Sequence, residues 1–134
     1  MIGWLGLVLA PCWSFTRDWF APVIAPLMIG CLYIGLIASN FLLAPDCAEF
    51  SSLAGVITLF SVPELVLAGW IHYLAFDLFF GAWEVKDAQK EGIHHWVLIP
   101  CLLATLMAGP VGLVLFRIVK LSYRAACSPA AGEV

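Results

Sequence analysis

The sequence predicts an all-α integral membrane protein, a bundle of four transmembrane helices with a short interfacial helix between the second and third. Three observations carry this. Hydrophobic residues make up 63% of the chain and charged residues 11%, against about 25% charged in a soluble domain, so no water-facing surface can be covered. The apolar residues gather in four long runs instead of alternating along the chain. Most of the charged residues fall between those runs or near their ends, but a histidine and an aspartate lie well inside the third.

The first run covers about residues 2–15. At that length a helix reaches only about 21 Å, short of a ~30 Å hydrocarbon core, so it crosses with its flanks, thins the bilayer or lies re-entrant. The second covers about 20–43, with Pro22 and Pro26 in its first turns, where a missing N–H does least harm. The third covers about 63–84 and opens on Pro63. The fourth covers about 96–119. Pro110 inside it, with Gly109 and Gly112 close by, predicts a kink.

Between the second and third runs, Leu53, Val56, Ile57 and Phe60 recur at helical spacing over too few residues to span, which reads as an interfacial amphipathic helix. Residues 84–95 form the one polar loop, and the tail 125–134 reads as mobile. Ala104, Ala108 and Gly112 make a small-xxx-small row along which helices approach closely. The whole chain, 1–134, reads as one membrane domain with a retained N-terminus. Trp13, Trp19, Trp83 and Trp96 near run ends fit an interfacial aromatic belt. With four crossings, Arg17, Lys86 and Lys90 fall on one side and Arg117, Lys120 and Arg124 on the other, so the positive-inside count is balanced.

Composition excludes several classes of function. A net charge of −3 with six basic residues leaves no basic patch for nucleic acid. The five cysteines are scattered without a C-x-x-C, so neither a disulfide framework nor a thiolate metal site is expected. No nucleophile elbow or phosphate loop is present, and no metal site is expected. What remains is chemistry on, or binding of, a lipid-soluble molecule.

His72 and Asp77 are the residues that can carry it, because an ionisable group at bilayer depth is costly and usually marks a partner, a ligand or a reaction. Five residues apart on a helix, they project about 140° from one another. Asp77 shares its face with Trp70, Tyr73 and Glu84, and His72 with Leu65, Phe76 and Phe79. His72 reads as a buried imidazole bonded to a neighbouring helix, as a ligand to a pigment or metal, or as an acid/base group. Asp77 reads as a paired carboxylate or as a proton donor whose acidity burial has weakened. Trp70, Tyr73, Phe76 and Phe80 line a slot for a flat or polyene ligand, or else pack against helices and lipid. His94 and His95 point apart at the start of the fourth helix and suit interfacial solvation.

The run Gly69-Trp70-Ile71-His72-Tyr73-Leu74-Ala75-Phe76-Asp77-Leu78-Phe79, followed by Gly81-Ala82-Trp83-Glu84, resembles the Trp-Ile-His-x-Leu-x-x-Asp-Leu-Phe signature of the neoxanthin-synthase-like family, also called abscisic-acid-deficient-four-like. Ile99-Pro100-Cys101-Leu102 and Ala108-Gly109-Pro110-Val111-Gly112 fit the same pattern, so the likeness covers about residues 41–119. The resemblance implies a small multi-pass protein of a thylakoid, plastid or bacterial inner membrane. It implies conversion of an epoxy-carotenoid to an allenic one, with signature positions at Trp70, His72, Asp77 and Leu78. That isomerisation needs one acid and one base, for which Asp77 and His72 are the expected pair. No cofactor is required, and a bound carotenoid or chlorophyll is the expected occupant. The rival expectation is a non-catalytic pigment- or lipid-binding subunit of a larger membrane complex, photosynthetic or homo-oligomeric. A transporter-like protein is disfavoured by the lack of paired polar half-helices.

Overall fold

A computed structural model of the chain describes residues 2–9, 13–40, 45 and 48–127. Among these, all regular structure is helical: α1 (Ile2–Leu9), a π-helical segment (Thr16–Ile24) running into α2 (Ala25–Asn40), α3 (Leu53–Leu59), α4 (Pro63–Lys90) and α5 (His95–Cys127). Three helices are long and apolar enough to cross a membrane, Thr16–Asn40, Pro63–Lys90 and His95–Cys127. The chain divides into two compact units. One is Met1–Ile24 with Asp77–Val134, and the other is Ala25–Phe76.

Local chemistry explains the boundaries. Pro63 opens α4 as expected. The π-helical segment encloses Pro22, which therefore lies inside a helix and not in its opening turn; a proline ring excludes the ordinary ladder bond, and a widened turn accommodates it. α1 covers 8 residues, about 12 Å of helix, and residues 10–12 of the first apolar run lie outside the described residues. So do residues 41–44 at the end of the second. Ser52 caps α3, its Oγ accepting from Gly55 N–H at 3.1 Å. Leu53 and Ile57 of that helix face outward, while Gly55 and Leu59 are buried.

The expected polar loop 84–95 is mostly helix. α4 runs on to Lys90 because Val85 and Ala88 are buried in the first unit's core, which continues its packed face for two more turns. It ends in a Schellman-type turn: Ile93 N–H bonds Ala88 C=O at 2.9 Å and Gly92 N–H bonds Gln89 C=O at 3.2 Å. Gly92 has φ +71° there, the left-handed conformation in which only glycine is unstrained.

α5 departs most from expectation. Its backbone leaves the helical region at Ala108 (φ −157°, ψ 68°), two residues before Pro110. The break is no gentle kink. A straight α5 would carry residue 123 about 42 Å from residue 95, yet the Tyr123 hydroxyl donates to Gly92 C=O at 2.9 Å. Lys120 Nζ lies 2.5 Å from Asp87 and 3.2 Å from Glu91 at the end of α4, and Arg124 also pairs with Glu91. α5 therefore folds back on itself, with 95–107 and 109–127 side by side. Gly112 lies so close to Thr105 that a Cβ there would overlap the Thr105 backbone. The halves are about 20 Å and 28 Å long.

Two expectations change with this bend. The buried small-residue stripe is Cys101, Thr105, Gly109 and Gly112, whereas Ala108 is exposed; the break at Ala108 interrupts the row that a straight helix would align. The basic residues are not split three against three. Arg17 pairs with Asp18 and bonds Gln89, Lys86 approaches Asp18 at 3.6 Å, and Lys120 and Arg124 reach Asp87 and Glu91. With Lys90 beside them and Arg117 over the Trp83 ring at 5.1 Å, the six basic residues gather toward one end of the first unit. Ala125–Cys127 form the last turn of α5, and the rest of the tail lies outside the described residues.

Candidate functional site

The first unit holds a carboxyl pair on one face of α4. Asp77 is 5% exposed and Glu84 fully buried. Seven residues separate them, two turns of helix, so their side chains project to the same side about 10 Å apart along the axis. Facing them is the folded-back α5. A Cβ on Gly109 would stand 2.5 Å from Asp77 Oδ1, so the break in α5 approaches this carboxyl closely enough that any larger residue would make it shift. The Thr105 hydroxyl lies 3.0 Å from both Glu84 oxygens and donates to them. Trp83 packs edge-on against Phe116 at 5.7 Å, and Trp4 covers Gly81, where a Cβ would meet the indole at 2.8 Å. The pair is thus enclosed by apolar groups.

Its depth follows from the polar end. Glu84 lies about 10 Å and Asp77 about 21 Å along the helix axis from Glu91. Glu91 anchors the polar end, where Arg124 and Lys120 hold its carboxyl down at about 2.

The other predicted residues fall elsewhere. His72 belongs to the second unit, where its ring lies 4.7 Å from Phe76 and 5.4 Å from Tyr33 of α2. It lines a cavity of about 240 Å³ whose described lining includes neither Trp70 nor Tyr73. Trp70, Tyr73 and Phe76 are exposed in that unit. Phe80 is exposed on the first unit, edge-on to Phe79 at 6.0 Å. Among the described residues, no three of His, Cys, Asp and Glu converge as metal ligands would.

Sequence reasoning passed over three residues. Glu84 carried a signal, its +7 offset from Asp77, but at a run's end it read as the start of a loop. Thr105 and Tyr33 carried none, because only folding brings them to Glu84 and His72.

A family model described as ABA DEFICIENT 4-like matches residues 1–116. The chain belongs to the ABA DEFICIENT 4-like family. The match takes in α1 to α4 and α5 as far as Phe116, so the carboxyl pair, the break at Ala108 and His72 all lie within the family region. No curated protein and no solved structure matches the chain.

Proposed function

We propose that this ABA DEFICIENT 4-like protein is a carotenoid-binding membrane isomerase of the neoxanthin-synthase type, converting an epoxy-carotenoid to an allenic one. The observation that carries the reading is the pair of buried carboxyls on one face of α4 against the break in α5. Asp77 is the acid: it gives its proton to the epoxide oxygen as the C–O bond at the ring carbon breaks. Glu84 is the base: its carboxylate takes the proton from the adjoining polyene carbon, and the electrons of that C–H bond complete the cumulated double bond. The oxygen stays as a hydroxyl, so no atom is gained or lost and no oxidant is needed. The two carboxyls project to one face about 10 Å apart along the helix axis, with Gly81 between them under the Trp4 indole, so an entering ring must displace that indole. Glu84 is taken as the base because it shares the α4 face of Asp77; His72 is the alternative base.

The gathering of the basic residues supports an orientation in which that end faces the cytoplasm or its plastid equivalent. α3, with Leu53 and Ile57 outward, then suits the membrane surface.

Cells that accumulate violaxanthin provide the test. Expression of the chain should yield neoxanthin, and Asp77→Asn and Glu84→Gln should each cut the yield at least about 100-fold with insertion intact. Loss of product in His72→Gln but not in Glu84→Gln would return the base to His72. No new carotenoid from well-inserted protein would sink the isomerase. It would favour a pigment- or lipid-binding subunit instead, a reading supported by the exposed Trp70, Phe76 and Phe79. Such a subunit should migrate with a large complex in mild detergent, carrying carotenoid or chlorophyll.

A further inference from the structure

The second unit holds a polar group that the carboxyl chemistry leaves unused. His72 is exposed to the cavity formed by α2, α3 and α4, whose lining includes Tyr33, Ile37, Leu59, Phe60 and Gly69. Apart from His72 and the Tyr33 hydroxyl, the described lining is apolar. The imidazole is set between two rings, Tyr33 and Phe76, and among the described residues these ring contacts are its only interactions. In an apolar medium a ring N–H or an imidazole lone pair without a partner is costly. These tilted ring contacts orient the imidazole, and its polar edge is left for whatever enters the cavity.

Size restricts the occupant. At about 240 Å³ the cavity falls below the ~300 Å³ at which pockets begin to hold drug-sized ligands. At about 30 Å³ per water-sized group it takes roughly eight such groups. That matches one substituted six-membered ring, with the rest of a longer ligand running out through the open side of the cavity. Polarity restricts it further. A neutral imidazole offers one donor and one acceptor, and a hydroxyl can meet either. The described lining has no lysine or arginine to receive an acid.

We propose that this cavity is a subsite for a single hydroxylated alicyclic ring of a lipid-soluble ligand, with His72 hydrogen-bonding the ring hydroxyl. The identity of the ligand as a carotenoid rests on the function proposed above; the subsite itself rests on the cavity. His72 is then a specificity residue that selects hydroxylated over unsubstituted end rings.

Zeaxanthin and β-carotene share one skeleton and differ only in their ring hydroxyls, so their binding to the purified full chain, read by quenching of tryptophan fluorescence, isolates the contact. The native protein should bind zeaxanthin about tenfold more tightly. His72→Phe should bring the ratio close to one with β-carotene affinity unchanged, and His72→Gln, which keeps a donor and an acceptor, should restore part of the preference. At Gly69 a Cβ would already stand 2.9 Å from the Phe60 ring, so Gly69→Val should weaken both ligands together. Helical circular dichroism confirms that each variant is folded. Equal binding of the two carotenoids by the native chain would overturn the proposal. So would a preference that survives His72→Phe, or one lost in Tyr33→Phe while His72→Phe retains it. Discrimination without turnover in the pigment assay would remove the isomerase and leave the subsite; turnover without discrimination would do the reverse.

Discussion

The two units of this chain solve the membrane problem in opposite ways. In the first, polar groups are enclosed and paired: Glu84 with Thr105, Lys120 with Asp87 and Glu91, and Asp77 against the break in α5. In the second, α2 has no buried residue at all, and the one imidazole opens onto a cavity. The difference shows where each unit's order comes from. Hydrogen bonds, ion pairs and close backbone approach hold the first unit together. In the second, the apolar side chains of α2 are left uncovered within the unit.

Four measurements can break or sharpen that contrast. The largest effect is expected at the fold-back. Gly112→Val would drive a side chain into the Thr105 backbone, so α5 must open, at a cost of about 3 kcal/mol; unfolding in mixed micelles should show it, and a neutral result would deny the fold-back. Next is Asp87→Ala, which leaves the buried Lys120 with Glu91 as its remaining partner and should cost about 2 kcal/mol by the same assay.

Acid should act more gently. The Glu91 carboxyl sits at about 2 in the folded chain against an ordinary 4.5, because Arg124 and Lys120 favour its charged form. A depressed folded value means that the stabilisation is fully present above about 4.5 and is lost as the pH falls toward about 2. Acid titration should therefore loosen the polar end through that window, with Glu91→Gln flattening the response. The smallest effect belongs to the second unit. Leu32 is 63% exposed on α2, so Leu32→Ala should shift stability by no more than about 0.5 kcal/mol. A loss several times larger would show that α2 is packed against protein in the membrane.

Some of this molecule is written in short stretches of sequence. Its apolar runs specify helices in a membrane, because burying unpaired backbone groups in lipid is prohibitive. Pro63 marks the start of α4, and the Gly109-Pro110 step marks the break in α5. The Trp70–Phe79 stretch carries the resemblance to the family signature and singles out His72 and Asp77. These features depend on residues within one or two turns of each other, so they can be read without the fold. The angle of the break cannot be read that way. Proline removes a bond without dictating direction, and contacts from Tyr123 to Gly92 and from Lys120 to Asp87, about thirty residues apart, decide that α5 returns on itself. That return gathers the basic residues at one end, where a straight helix would have divided them. It also brings Thr105 and Gly109 against the carboxyl face of α4, contacts that no spacing within α4 could announce.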